Sequence, residues 1–376
     1  MSLLSHRSAI LDAQKLVIKI GSALLVHPDG TLRASWLKAL AADVAELRAS
    51  GKQVILVSSG AIALGNSVLA IKGRSTRLEE AQAAASVGQI QLAQAYQACF
   101  ERHSIVTAQI LLTLGDLEDR PRYLNARSTV NELLEHGVIP VINENDTVAT
   151  SEIRFGDNDR LAARVAQMAS ADTLVLLSDI DGLYDADPRT NEGAKMLSVV
   201  DAITPQIEAL AGPPARQGVG SGGMITKLRA AKFALAGGCS MIIMNGTSDS
   251  PVTRLKNGEA CTLFPANTTP LAVRKRWIQG MMAPKGMLHI DAGAVAALAR
   301  GASLLPAGIT QTLGEFNRGD LVAFIGPDGG VVGQGLAAYS FEDALKLQGR
   351  NMSDAAGILG YAGRSALVHR DDLILL

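Results

Sequence analysis

Five short apolar runs constrain this chain more than anything else in it: Leu16-Val17-Ile18-Lys19-Ile20, Gln53-Val54-Ile55-Leu56-Val57, Val138-Ile139-Pro140-Val141-Ile142, Thr173-Leu174-Val175-Leu176-Leu177 and Ser240-Met241-Ile242-Ile243-Met244. Each has the length of a strand and is apolar nearly throughout rather than alternating, the pattern of a strand buried on both faces. Helical patterns fall between them, over Ala34–Ala49, 79–100, 121–135, 159–168 and Met224–Ala236, and a further strand is expected at 106–112. Strand and helix alternate, so the expected fold is α/β, with a mainly parallel sheet sandwiched by helices. The strands also stop abruptly, at Gly21-Ser22, Ser59-Gly60-Ala61, Asn143-Glu144-Asn145-Asp146 and Ser178-Asp179. Parallel sheets hold their ligands beyond the carboxyl ends of the strands. Lys19, Ser59, Asp146 and Asp179 therefore fall where a site is expected.

A chain of 376 residues is too long for one ordinary core. The pattern changes after residue 266, so we expect a catalytic domain over 1–266, a linker over 267–284 and a small, mostly β domain over 285–376, its turns at Asn317-Arg318-Gly319-Asp320 and Gly326-Pro327-Asp328-Gly329-Gly330. With 35 basic against 36 acidic residues the net charge is -1, so no global field draws nucleic acid or an anionic membrane, and any anion must be held by local geometry. Cys99, Cys239 and Cys261 are odd in number and far apart, which argues against a disulfide framework or a zinc site. No apolar run approaches ~18 residues, and the first fifteen residues have no signal-peptide core. The expectation is a cytoplasmic protein without a membrane partner.

Three stretches carry the chemistry. From 137 to 168 an apolar strand leads into Asn143-Glu144-Asn145-Asp146-Thr147, a polar hairpin, Gly156-Asp157-Asn158-Asp159 and a helix. So many carboxylates and amides held together call for cations or ligand donors among them, although Asn and Asp are also ordinary turn and cap residues. Lys19 lies inside an apolar strand with Gly21 two positions on, where its ammonium can meet a phosphate that backbone amides also approach. Gly220-Ser221-Gly222-Gly223-Met224-Ile225-Thr226-Lys227 is a second glycine-rich entry to a helix. It is not a Walker A loop, because Thr226 precedes Lys227. Gly218, Gly220 and Gly223 match G-x-G-x-x-G without the strand a dinucleotide site requires, which disfavours a dehydrogenase.

The order of these elements, with the wording of Val141 to Asp146, of Gly156-Asp157-Asn158-Asp159 and of Asp187-Pro188-Arg189, resembles the amino acid kinase family, and within it the glutamate 5-kinases. From about Lys285 the tail resembles a PUA domain. Ala23 stands where the family often shows a hydroxyl residue.

The resemblance implies phosphorylation of the γ-carboxylate of L-glutamate by ATP with Mg²⁺, the first step of proline synthesis, with proline as inhibitor. A homo-oligomer is expected, with room for functional coupling to the next enzyme of the pathway. Lys19, Asp159 and Lys227 would be catalytic, Asp159 orienting the two lysines. Ser59, Asp146 and Asn158 would hold glutamate. Lys19, Gly21, Gly60, Ser178, Asp179 and the run Ser221, Gly222, Gly223, Met224, Ile225, Thr226 and Lys227 would border the nucleotide. No residue is assigned to metal. Two alternatives stand beside this reading: another amino acid kinase, acting on aspartate, acetylglutamate or carbamate, and an RNA-binding PUA protein. Charge speaks against the second, since residues 285–376 hold seven Lys and Arg against nine Asp and Glu.

Overall fold

The computed structural model describes residues 8–71, 77–148, 158–212, 223–281, 283–361 and 364–376. The chain divides into two compact units, Met1–Pro270 and Leu271–Leu376.

The first unit is built on strands β1 (Lys15–Ile20), β2 (Gln53–Ser58), β3 (Thr107–Leu112), β4 (Ile139–Glu144) and β5 (Thr173–Ser178), a short hairpin of β6 (Leu183–Tyr184) and β7 (Met196–Leu197), then β8 (Ser240–Asn245) and β9 (Cys261–Phe264). Seven of them form one sheet in the order β3-β4-β2-β1-β5-β8-β9, parallel except for β9 at the edge. Its helices include α1 (Ala34–Ala49), α2 (Ala61–Val68), α3 (Leu78–Glu101), α4 (Arg120–Glu135), α5 (Asn158–Ala169) and α6 (Met224–Ala236). Unbroken apolar strands gave this architecture away because both faces of the sheet are covered. The two residues expected to open the polar turn after β4 belong to the strand instead. Asn143 pairs with Leu111 and Glu144 with Leu112 on β3, and both side chains are buried.

Two details of packing aim the site. Strand side chains alternate between faces, so Leu16, Ile18 and Ile20 enter a core with Trp36, Leu40, Tyr96 and Phe100, while Val17 enters the opposite core. That second core is lined by Ala162, Ala163 and Ala166 of α5 and Ala230, Ala231 and Ala234 of α6. Lys19 shares the face of Val17. Small alanine side chains let these two helices pack closely, and their first turns meet over the carboxyl end of β1. The second detail is on the other side, where α2 and α3 touch backbone to backbone. A Cβ at Gly65 would lie 1.8 Å from the Ala84 carbonyl oxygen, and one at Gly88 would lie 1.8 Å from that of Ala61. Glycine is required at both positions.

The second unit carries β10 (Gly286–Ile290), β11 (Ile309–Gly314), β12 (Leu321–Ile325), β13 (Val331–Leu336) and β14 (Leu373–Leu375) in one sheet of order β11-β10-β12-β13-β14. Leu288, Ile290, Val322 and Phe324 lead its core. A helix over Pro270–Gln279 occupies much of the 267–284 stretch read as a linker, with proline tolerated at its first turn. All three cysteines are free and buried. Among the described residues no helix is long and apolar enough to cross a membrane.

Candidate functional site

The centre of the site is one carboxylate between two ammonium groups. Lys19 lies in β1 opposite Val57 of β2 and Leu176 of β5, so a cation stands in the middle of the sheet. Its Nζ is 2.7 Å from Oδ1 of Asp159, in the first turn of α5. From the first turn of α6, Lys227 Nζ donates to Oδ2 of the same carboxylate at 3.2 Å. All three side chains are buried, at 8%, 2% and 6% exposure. Burial alone would raise the Asp159 carboxyl, but the charges and hydrogen bonds of the two lysines outweigh it and hold the group below the usual carboxylate range. Asp159 is therefore ionised at any physiological pH. Among the described residues the buried centre sets two cations against one anion, and the amino ends of α5 and α6, both positive by their backbone dipoles, converge there. Such an arrangement suits an anionic ligand.

The loops around it follow the strand ends. Gly60, at the start of α2, adopts a left-handed φ of 108°, which a side chain would disfavour. A Cβ at Gly21 would stand 3.7 Å from the Leu177 carbonyl oxygen and 4.0 Å from Lys19 Nζ, ordinary contact distances, so Gly21 lies directly beside that ammonium. Gly223 caps α6, Met224 and Ile225 are half-buried, and Thr226 places Oγ1 3.0 Å from Asp159 Oδ2. Ser178 donates to the Asp179 carboxylate at 3.0 Å. Among the described residues that pair shares no hydrogen bond or ion pair with the lysine centre. Ser221, Gly222, Gly156 and Asp157, with the expected hairpin over 149–157, lie outside the described residues.

A second group lies beside the first. Asn158, next to Asp159 in sequence, directs Nδ2 at three acceptors: the Ser58 carbonyl at 2.9 Å, Ser59 Oγ at 2.7 Å and Asn143 Oδ1 at 3.1 Å. Asn143 in turn donates to Gln89 Oε1 at 2.8 Å and accepts from the Glu144 backbone at 2.9 Å. A cavity of about 240 Å³ opens here, lined by Ala85, Ser86, Gln89, Ile90, Gln109, Leu111, Glu144, Asp146 and Thr147. Among the described residues its charged walls are Glu144 and Asp146. Burial pushes the Asp146 carboxyl up to about 6, and no described residue donates a hydrogen bond to it. Such a cavity suits a cationic group. The structure thus gathers Ser59, Asn158 and Asn143 into one network with Gln89, and puts Asp146 in a cavity that Gln89 also lines. Asn143, Gln89 and Ser58 were not assigned from sequence. Gln89 carries no signal within an Ala- and Gln-rich helix, whereas Asn143 sat inside a motif already marked.

Among the described residues no three His, Cys, Asp or Glu side chains cluster as metal ligands would. The donor set offers one carboxylate already shared by two lysines, which suits a magnesium ion carried chiefly by phosphate oxygens and water.

A mainly parallel sheet with buried cations at its carboxyl edge and a separate amide and carboxylate cavity defines a class that joins a phosphate to a small polar acceptor. The model of the amino acid kinase family matches residues 14–245, and the chain belongs to that family. A PUA domain matches residues 286–359. Its relatives within the family include glutamate 5-kinases. It is 53% identical over 372 residues to that of Rhizobium etli (strain CIAT 652), covering 99% of this chain and 95% of the other. With glutamate 5-kinase 1 of Rhizobium meliloti (strain 1021) it shares 54% identity over 369 residues, covering 98% and 94%. For the enzyme of Bradyrhizobium diazoefficiens the identity is 55% over 363 residues, covering 96% and 97%.

Proposed function

We propose that this chain transfers the γ-phosphoryl group of ATP to the γ-carboxylate of L-glutamate, giving L-glutamyl 5-phosphate, the first step of proline biosynthesis. Identity above 50% to glutamate 5-kinases across nearly the whole chain supports the activity. The observation that carries the mechanism is the buried Lys19, Asp159, Lys227 centre, where two ammonium groups share one carboxylate.

The chemistry follows from the acceptor. A carboxylate with a pKa of about 4.3 is already ionised at neutral pH, so it attacks without a general base. Asp159, held in its charged form by two lysines, is the wrong group to take a proton and the right one to fix those lysines. What the reaction requires is neutralisation, since two anions must meet in line while charge gathers on the transferred oxygens. Lys19 and Lys227 supply it from opposite sides of one carboxylate, and the amides at Gly21, Gly60 and Gly223 can approach the phosphates. A magnesium ion carried in with the nucleotide would add positive charge to the phosphate oxygens, Asp159 remaining engaged with the two lysines and Thr226. Ser178, Asp179 and the 221–227 loop border the nucleotide. Ser59 and Asn158 hold the glutamate carboxylates, and Asp146 receives its α-ammonium. We assign the activity to residues 1–266, with 267–284 joining them to the PUA-like unit 285–376, and place the enzyme in the cytoplasm.

Hydroxylamine traps acyl phosphates. In an ATP-dependent hydroxamate assay over a panel of carboxylic acids, glutamate is the expected substrate, with aspartate and acetylglutamate inactive. Product from either of those and none from glutamate overturns the reading. Proline, a cyclised relative of glutamate, is proposed to compete in the Asp146 cavity. It should raise the glutamate KM in the same assay, and unaltered glutamate kinetics at saturating proline would dismiss it as an inhibitor.

A further inference from the structure

Tyr96 stands in the core side of α3, 1% exposed, and takes no part in the chemistry set out above. Its hydroxyl donates to Ser58 Oγ at 2.9 Å. Ser58 is fully buried at the end of β2, and its hydroxyl donates onward to the Ser59 carbonyl at 3.1 Å. The Ser58 carbonyl accepts from Asn158 Nδ2, which also reaches Ser59 Oγ. One hydroxyl thus stands behind the turn that presents Ser59 and leads into the left-handed Gly60. Tyr96 itself has little freedom: its ring stacks on Phe100 with centroids 6.4 Å apart, and the reciprocal Gly65 and Gly88 contacts press α3 against α2, the helix that Gly60 opens. Burial raises the phenol well above the usual tyrosine value, so it remains a donor.

We infer that Tyr96 is a positioning residue for the acceptor half of the site, setting through Ser58 the place of Ser59 and of the Asn158 amide. The inference rests on the reading of Ser59 and Asn158 as glutamate contacts. It is not a statement about packing, because phenylalanine fills the same space and lacks only the hydroxyl. Removing the hydroxyl leaves the Ser58 oxygen without its donor and the turn held by the Ser59 amide on the Ile20 carbonyl and by the Asn158 amide. The lysine centre does not hang on this chain of bonds, since Lys19, Asp159 and Lys227 are fixed from β1, α5 and α6, and of the phosphate-side groups only Gly60 shares the turn.

The test compares Tyr96→Phe, Ser58→Ala and the double variant in the full chain. A net hydrogen bond of ~1 kcal/mol corresponds to a glutamate KM raised ~5-fold, with the ATP KM and kcat within ~2-fold of wild type. Because the two hydroxyls act in series, the double variant should cost no more than the larger single one. A direct readout accompanies the kinetics: glutamate should raise the melting temperature less in Tyr96→Phe than in wild type. An unchanged glutamate KM with a lowered melting temperature would show a purely structural tyrosine and overturn the inference, as would effects that simply add in the double variant. If Tyr96→Phe fails to fold, Ser58→Ala decides alone by the same KM criterion. Wild-type protein that makes no glutamyl hydroxamate defeats the underlying reading; active wild type with an unmoved KM in the variants defeats only this inference.

Discussion

Lys227→Ala should lose activity almost entirely in kcat, by on the order of 10²–10³-fold, with the glutamate KM little changed and the fold intact. The reason is charge arithmetic at one carboxylate. In the native centre Lys19 and Lys227 share Asp159, and on the proposed mechanism these two ammonium groups are what an incoming phosphate would meet. Without Lys227 the remaining pair is neutral and buried, a stable arrangement that no longer stabilises charge developing on the transferred phosphoryl. The mirror experiment separates catalysis from folding. Asp159→Asn leaves two buried ammonium groups facing each other across a neutral amide, and removing one partner of a buried pair costs about 3–5 kcal/mol. Asp159→Asn should therefore lower the melting temperature far more than Lys227→Ala does. Steady-state kinetics and thermal unfolding on both variants check this, and a Lys227→Ala enzyme with wild-type kcat would remove the lysine from the mechanism.

The sequence made parts of this arrangement legible and hid others for physical reasons. A lysine inside an apolar strand is conspicuous because the strand's other residues are selected for burial, and Lys19 is indeed buried with its charge satisfied. Asp159 was equally visible, at the start of a helix after a dense polar run. What the strand pattern could not reveal is which helices would meet above Lys19. That depends on alanine faces of α5 and α6, which read in sequence as ordinary helix formers. Tyr96, Ser58 and Gln89 were hidden more completely. Their contacts join α3 to the ends of β2 and β4, tens of residues apart in sequence, and a buried tyrosine or a half-buried glutamine in a helix has no period or motif that marks it. The helix over Pro270–Gln279 was missed because proline, threonine and a basic run suggested a connector, although proline at a first turn begins helices as readily as it ends them.

Asp146 gives the prediction with the clearest sign. Burial without a hydrogen-bond donor pushes its carboxyl up to about 6 in the free enzyme, so folding favours its protonated form. That contribution is fully present below the ordinary carboxylate value near 3.9 and is lost as pH rises through about 6. At pH 8 the buried carboxylate is a net cost to the fold. Asp146→Asn should therefore melt at a higher temperature than wild type at pH 8 and show no such gain at pH 4. On the proposed role of Asp146 the same substitution removes the acceptor for the glutamate ammonium, and stranding a charge in a binding site costs ~2–5 kcal/mol, so the glutamate KM should rise at least ~30-fold with kcat much less affected. In wild type, kcat/KM for glutamate should fall tenfold per pH unit below about 6, because the free enzyme must be ionised at Asp146 to receive the ammonium. The γ-carboxyl of the substrate titrates near 4.3 and cannot produce that limb. Once glutamate is bound, its ammonium holds Asp146 ionised, so kcat should stay level over the same range. A kcat/KM profile flat from pH 5 to 8, or an Asp146→Asn enzyme with ordinary glutamate affinity, would take Asp146 out of the acceptor site.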